Sequence, residues 1–279
     1  MNQSASRPFA HDPEALIGVF DSGLGGLTVV RALTERLPSE RLVYLGDTAR
    51  VPYGTRSPHT IIRYARSCGR SLAAHGIKML VVACNTVSAV ALDMLRIELD
   101  LPVIGVVEPG ARAAARASDT KRIGVIATAG TVASGAYPRA VASADSRAEV
   151  IQMPAPLLVP LAEEGWVEGE VPTLVARRYL EPLVARGIDA LVLGCTHYPI
   201  LRTVIEAEAR ALAGRDIAVV DSGIAAADEL AQALRDRGLA RAGGEGSLRL
   251  QVTDRPGRFA EVASRFLGRE VDEVDQIDL

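Results

Sequence analysis

The sequence has little of what marks several common protein classes. Its 279 residues carry a formal net charge of −3 with Lys and Arg spread along the chain, which argues against a nucleic-acid surface. Three cysteines without a CxxC pair argue against structural disulfides and cysteine-type zinc sites. No apolar run approaches the ~20 residues of a membrane span, and no signal-peptide core is visible. These absences predict a cytoplasmic protein with free thiols and no metal.

Aromatic residues are also scarce, at 4% of the sequence against 48% for hydrophobic residues as a whole. The predicted core is therefore built mainly from Val, Leu, Ile and Ala. The length allows one large domain or two domains of roughly 100–150 residues. Met1–Pro13 is predicted to be a disordered lead-in, and the acidic end from Glu270 a frayed tail.

Two short apolar runs end in a cysteine that is followed by polar residues. One is Val81–Thr86, which contains Cys84, and the other is Leu191–His197, which contains Cys195. Each run precedes a segment that can start a helix, so each is predicted to be a buried parallel strand. Ligands of open α/β sheets bind beyond the carboxyl ends of such strands. We expect both thiols to face one cleft, although a free cysteine is often only a small buried hydrophobe, as we interpret Cys68.

Strands alternate with helices along the chain, which predicts an α/β fold with largely parallel sheets flanked by helices. One long helix is predicted over Thr86–Leu99, and Glu108–Gly110 is predicted to break the pattern at a domain boundary. Asp221-Ser222-Gly223 repeats Asp21-Ser22-Gly23, which suggests that the chain returns to its first domain. The predicted domains are residues 15–109 with 220–279, and residues 110–219.

Two loops at strand ends carry polar residues suited to binding. The glycines that follow Asp21 would let a ligand reach backbone N–H groups at a helix N-terminus, although Asp21 fits equally well as a helix cap. Gly46–Arg56 is rich in Asp, Arg, Tyr and Thr, which is typical of a binding loop but also of a solvated one.

Four segments, in this order, resemble the motifs of bacterial glutamate racemase, of the aspartate/glutamate racemase superfamily. They are Phe20–Gly26, Gly46–Gly54, Ala83–Thr86 and Gly194–Pro199. The likeness runs from about Ile17 to Arg235. It implies two similar α/β domains with the active site between them. It also implies interconversion of L- and D-glutamate without a cofactor, for peptidoglycan synthesis and cell shape.

The resemblance assigns roles position by position. Cys84 and Cys195 match the two catalytic thiols, with Cys84 serving the D-glutamate face and Cys195 the L-glutamate face. The matching assisting residues are Asp21, Asp47, Glu163 and His197, and the adjacent Glu164 fits the position of Glu163 as well. The matching substrate contacts are Asp21, Ser22, Tyr53, Gly54, Asn85, Thr86, Thr196 and His197.

Racemisation requires one group to remove the Cα proton and a second group to protonate the opposite face. A free cysteine pKa of ~8.5 leaves only a few per cent thiolate at neutral pH. We expect the helix N-terminus after each strand to lower the pKa of both thiols. No pyridoxal lysine motif is evident, so N–H and hydroxyl donors in a closed cleft must stabilise the carbanion.

Other functions fit parts of the pattern. A racemase of aspartate or hydantoins would use the same cysteine pair. A hydrolase with Cys195 as nucleophile and His197 as base would not explain Cys84. A protein-interaction module would explain neither thiol. His197 also fits a structural histidine bonded to backbone. The sequence does not determine the oligomeric state, and a homodimer is one candidate.

Overall fold

The computed structural model of the protein describes residues 12–271 and 273–279, so most of the predicted lead-in Met1–Pro13 lies outside the described residues. The strands in these ranges are β1 Ile17–Asp21, β2 Arg41–Gly46, β3 Met79–Val82, β4 Val103–Gly105, β5 Arg122–Ala127, β6 Glu149–Pro154, β7 Ala190–Gly194, β8 Ala218–Asp221, β9 Ser247–Val252 and β10 Asp275–Gln276. The helices are α1 Leu27–Arg36, α2 Pro58–Ala73, α3 Asn85–Val90, α4 Leu92–Glu98, α5 Val107–Ala117, α6 Ala129–Ser134, α7 Ala136–Ala144, α8 Leu158–Glu164, α9 Glu170–Val184, α10 Arg202–Ala213, α11 Ser222–Asp236 and α12 Pro256–Leu267.

The strands form two sheets, and the paired strands of both are parallel. The first sheet has the order β10-β9-β2-β1-β3-β4, and the second has the order β6-β5-β7-β8. Every residue of β1, β3 and β7 is buried, as expected for central strands covered by helices on both faces. The predicted α/β fold with parallel sheets is confirmed.

The chain passes between the sheets twice. α5 connects β4 to β5, and α11 connects β8 to β9, so that the C-terminal strands return to the first sheet. The two connecting helices pack together, and Arg112 Nη2 of α5 lies 2.6 Å from Glu229 Oε2 of α11. The predicted domain limits fall within α5 and β8, and the division into two domains stays a prediction.

Several local predictions were wrong. Pro109 does not interrupt the secondary structure, because it lies in the first turn of α5. The N–H groups of a first turn have no partner within the helix, so the N–H that proline lacks is not missed there. The helix predicted over Thr86–Leu99 is two helices that meet at Ala91. The acidic end is not frayed throughout, since β10 pairs with β9 and Ile277 N–H donates to the Val252 carbonyl at 2.9 Å.

None of the helices in the described part of the chain combines the length and the apolar character that a membrane crossing requires.

A buried ion pair lies at the end of the first sheet where its strands begin, opposite the carboxyl ends of those strands. Lys78 Nζ donates to Glu40 Oε2 at 2.6 Å, and both residues are almost inaccessible to solvent. Lys78 also donates to the carbonyls of Pro13 and Leu239, and Glu40 Oε1 accepts from the N–H of Arg241. The pair therefore joins the start of the chain to the segment that leads back to β9.

Replacing Lys78 by Met should lower the free energy of unfolding by about 3–5 kcal/mol, because it leaves the buried Glu40 carboxylate without its counter-ion. The double variant Lys78→Met with Glu40→Gln should be less destabilised than the single one. Arg210→Met, which breaks an exposed pair with Asp216, should cost less than about 1 kcal/mol. Urea unfolding measures all three, and a Lys78→Met cost no larger than that of Arg210→Met would contradict the expectation.

Candidate active site

A cavity of about 1060 Å³ lies where the carboxyl ends of the two sheets meet. Its walls come from the loops after β1, β2, β3, β5 and β7, from the segment around α8, and from α12. Both predicted cysteines line it, Cys84 from the first sheet and Cys195 from the second. The other predicted site residues that line it are Ser22, Tyr53, Gly54, Asn85, Thr86, Glu163, Thr196 and His197.

Cys84 caps the N-terminus of α3, and its thiol donates to Ser22 Oγ at 3.4 Å. Burial raises the pKa of this thiol to about 12, the nearby Asp21 adds to the rise, and hydrogen bonds with the Ser22 side chain and the Val87 backbone oppose it. The expected lowering by the helix N-terminus was therefore wrong for Cys84, because loss of water and a neighbouring carboxylate outweigh it. Cys84 is a protonated thiol at neutral pH.

Asp21, near this thiol, is the last residue of β1 and is 1% exposed. Its Oδ2 accepts from the Gly23 N–H at 2.9 Å, whereas its Oδ1 has no partner in the structure. Burial raises the pKa of Asp21, against the lowering effects of the Gly23 hydrogen bond and of the charge on His197. Asp21 is not among the described residues that line the cavity. It can therefore influence a ligand there only through neighbouring residues such as Ser22 and Cys84.

Cys195 belongs to a chain of polar groups that ends at α8. His197 Nδ1 lies 3.7 Å from Cys195 Sγ, and His197 Nε2 lies 3.0 Å from Glu163 Oε1. Burial lowers the pKa of His197, but its hydrogen bonds to Cys195 and Glu163 outweigh burial and raise that pKa to about 10. The imidazole is therefore protonated at neutral pH and donates from both nitrogens. Of the two adjacent carboxylates, the one bonded to His197 is Glu163, while Glu164 also lines the cavity.

The predicted residue Asp47 is fully buried and is not among the described residues that line the cavity. Its carboxylate accepts from the Tyr53 hydroxyl, from Arg50 Nε at 2.7 Å and from Thr253 Oγ1 at 3.0 Å. Thr48 Oγ1 in turn donates to the Asp254 carbonyl at 2.7 Å. Asp47 thus fixes the loop that carries Tyr53 and Gly54, and ties this loop to the segment before α12.

Three threonine hydroxyls form a cluster where the first sheet's loops meet α6. The Thr86 and Thr128 hydroxyls lie 3.0 Å apart, and the Thr131 hydroxyl lies within 3.3 Å of both. Next to the cluster, the Gly130 N–H donates to the Gly54 carbonyl at 3.0 Å, across the cleft. Asn85 Nδ2 donates to the Tyr137 hydroxyl at 2.9 Å and to Ser222 Oγ at 3.2 Å, which leaves Asn85 Oδ1 buried without a partner.

Sequence reasoning missed the contribution of α12 to the cavity wall. Arg258, Phe259, Val262 and Arg265 all line the cavity, and nothing in their local sequence signals a site. Thr128 was also missed as a site residue, although its place directly after an apolar strand was a usable signal. In the described part of the chain, no group of three or more His, Cys, Asp and Glu side chains is arranged to hold a metal ion.

Two sheets of parallel strands thus bring two thiols to one cavity, and comparison with known proteins identifies the class of enzyme. The Asp/Glu/Hydantoin racemase family profile matches residues 18–230, and the chain belongs to this family of enzymes. Within the family it resembles the glutamate racemases. That of Geobacter metallireducens is 47% identical over 268 residues, which covers 96% of this chain and 98% of the relative.

Solved structures give the same result. The glutamate racemase of Thermus thermophilus, in complex with beta-chloro-D-alanine, is 45% identical with a TM-score of 0.87, covering 96% of this chain and 98% of that one. That of Francisella tularensis, in complex with D-glutamate, is 36% identical with a TM-score of 0.87, covering 95% and 98%. The predicted fold class and the predicted resemblance are thus confirmed.

Asp47→Asn tests whether this carboxylate handles protons or orders the loop. The amide cannot form the ion pair with Arg50, so the loop carrying Tyr53 and Gly54 should loosen. We expect KM for the substrate to rise about tenfold and kcat to fall less, as for a lost binding contact. Steady-state kinetics in both directions provide the measurement. A fall in kcat at unchanged KM would instead favour the proton-handling role that the resemblance implied.

Glu163→Gln tests the contact with His197 through the pH dependence of stability. The raised pKa of His197 contributes stability that is complete below about pH 6.5 and is lost as pH rises through about 10. The lowered pKa of Glu163, held down mainly by His197, contributes stability that is present above about pH 4.5 and is lost in acid. Urea unfolding should show the largest deficit of the variant between about pH 4.5 and 6.5. Glu164→Gln, which keeps the contact between Glu163 and His197, is the control, and equal profiles for the two variants would exclude the ion pair.

Proposed function

We propose that this protein interconverts L- and D-glutamate by two-base proton transfer at Cα, with Cys195 and Cys84 as the two bases. The observation that carries the proposal is the placement of these two thiols in one cavity, each with its own polar partner. Two opposed acid–base groups can take a proton from one face of Cα and return another to the opposite face. The names of the relatives support glutamate as the substrate.

In the L-to-D direction, Cys195 acts as thiolate beside the imidazolium of His197 and takes the Cα proton. Cys84, which is protonated at neutral pH, delivers its proton to the other face. The products are D-glutamate, a Cys195 thiol and a Cys84 thiolate, so no proton is gained or lost overall. The D-to-L direction runs the same two transfers in reverse, with Asp21 and Ser22 assisting Cys84.

The carbanion between the two transfers needs donors around its carboxylate. Ser22, Thr86 and Thr196 offer hydroxyls at the cavity wall, and the first N–H groups of α3 lie beside Cys84. Donors that are fixed in a closed cavity stabilise a developing charge without reorganising. In this proposal Tyr53, Gly54, Asn85 and His197 complete the substrate contacts. Both proton transfers are assigned to side chains, so the reaction requires no cofactor.

The proposal extends to the cell, where D-glutamate would supply peptidoglycan synthesis, and with it cell-wall biogenesis and cell shape. This task places the enzyme in the cytoplasm, acting on a small-molecule substrate. A homodimer stays a prediction.

The wild-type protein should abolish the optical rotation of L-glutamate without added cofactor, and it should act far more slowly on L-aspartate or a hydantoin. Cys84→Ala and Cys195→Ala should each lose racemisation, because neither face alone completes the cycle. In D₂O the initial product should carry deuterium at Cα while recovered substrate stays largely protonated, since each thiol exchanges with solvent before substrate binds.

Polarimetry and mass spectrometry of the separated enantiomers measure these outcomes, with Cys68→Ala as the control because this buried thiol is not among the described residues that line the cavity. Full activity in either cavity variant would contradict the two-base mechanism. Racemisation of aspartate or a hydantoin in place of glutamate would keep the mechanism but overturn the substrate.

A further inference from the structure

The C-terminal helix α12 reaches across from the first sheet to the polar chain beside Cys195. It follows β9, packs against α1, and places two consecutive residues against the two members of the Glu163–His197 pair. Arg265 contacts the helix that carries Glu163, and Phe266 contacts the ring of His197. Neither residue has a role in the proposed proton transfers.

Arg265 closes the exposed end of α8. Its Nη1 donates to the Glu163 carbonyl at 2.5 Å and to the Ala162 carbonyl at 3.3 Å. Carbonyls at a helix C-terminus lack partners within the helix, and a cation there is favoured by the helix dipole. α8 has no basic residue in its own last turn, so the charge comes from α12. The next residue, Gly165, has a φ of 76°, and a Cβ there would lie 2.7 Å from Arg265 Cζ.

Phe266 fixes the other member of the pair. Its side chain is fully buried, and its ring centroid lies 5.4 Å from that of His197 with the rings nearly perpendicular, at 79°. This edge-to-face geometry is a favourable aromatic arrangement. On the His197 ring a Cβ at Gly25 would come within 2.5 Å of Nδ1 and Cε1. The imidazole is therefore held by Phe266, by the backbone at Gly25 and by the Glu163 carboxylate.

We infer that Arg265 and Phe266 are positioning residues for proton transfer at Cys195, and that these two residues act on one thiol and not on the other. Neither side chain exchanges a proton with substrate. Arg265 acts by fixing the end of α8 and with it the Glu163 carboxylate, and Phe266 acts by fixing the plane of the His197 ring. Cys84 has polar partners of its own, Ser22 and Asp21 at the end of β1, and the α12 residue nearest to them is Phe259, through Tyr44.

This inference rests on the proposed glutamate racemisation, and it makes a directional prediction. The two enantiomers are equal in free energy, so kcat/KM must fall equally in both directions whichever thiol is affected. The affected step is visible only in isotope effects. If transfer at Cys195 slows, the primary isotope effect on kcat/KM should rise for 2-deutero-L-glutamate. It should fall for 2-deutero-D-glutamate, toward the equilibrium isotope effect of the transfer, because Cys84 then abstracts the deuteron in a step that no longer limits the rate.

The test uses the full-length variants Arg265→Ala, Arg265→Lys and Phe266→Leu. We expect Arg265→Ala and Phe266→Leu to lower kcat about 10- to 100-fold with KM changed less than about threefold, since small displacements of acid–base groups cost this much. Arg265→Lys should recover most of the loss, because an ammonium group can still donate to one of the two carbonyls. Arg269→Ala, which removes an exposed arginine just beyond α12, is the matched control and should behave as wild type.

Unfolding by urea checks that each variant is folded under the assay conditions. Equal changes in the two isotope effects, or an unchanged pair, would overturn the inference even if kcat falls. A rise in KM alone would also overturn it, because Arg265 would then be a substrate contact. A wild-type protein that does not racemise glutamate would overturn the proposed function itself, before any variant is compared.

Discussion

The close approach of Gly25 to the end of β7 governs how the two sheets meet. A Cβ at this position would collide with the Thr196 hydroxyl and the His197 ring, and the neighbouring Thr28 Oγ1 donates to the Thr196 carbonyl at 2.9 Å. A residue larger than glycine would force the Thr196 and His197 side chains to move at the point where Cys195 enters the cavity. On the far side of the cavity, Gly54 and Gly130 make a second contact of the same kind. Close contacts at these glycines thus allow the two thiols to line one cavity.

The two thiols lie in different surroundings, although the strands that carry them are alike. Cys84 meets a hydroxyl and a carboxylate, in a place where burial holds its proton on. Cys195 meets a cation, the imidazolium of His197, which is itself stabilised by Glu163. The difference arises because β1 ends in Asp21-Ser22, while β7 is followed by Thr196-His197 beside α8. The two thiols thus occupy equivalent positions at the ends of strands. A carboxylate lies near Cys84, whereas a cation lies beside Cys195.

The strand ends could be predicted from sequence because an apolar run that stops at a polar residue is a local pattern. This is why Cys84, Cys195 and the parallel sheets were expected before the structure was known. The partners of Asp47 could not be predicted, because a loop sequence does not show whether a carboxylate faces a ligand or Arg50. The place of Arg265 beside Glu163 depends on how the returning chain packs, and about 100 intervening residues separate the two in sequence. The break expected at Pro109 is the start of α5 instead, because a proline that interrupts a helix in its middle is tolerated in its first turn.

The two crossings between the sheets, at α5 and α11, are adjacent, so the chain leaves the first sheet and returns to it at the same place. Arg112 and Glu229 hold these connections side by side, and Gly110 lets Ser222 pack directly against α5. Neither helix is among the described elements that wall the cavity. The two connections between the sheets therefore lie side by side outside the cavity wall, and the contact between Gly54 and Gly130 lies in the cavity region instead.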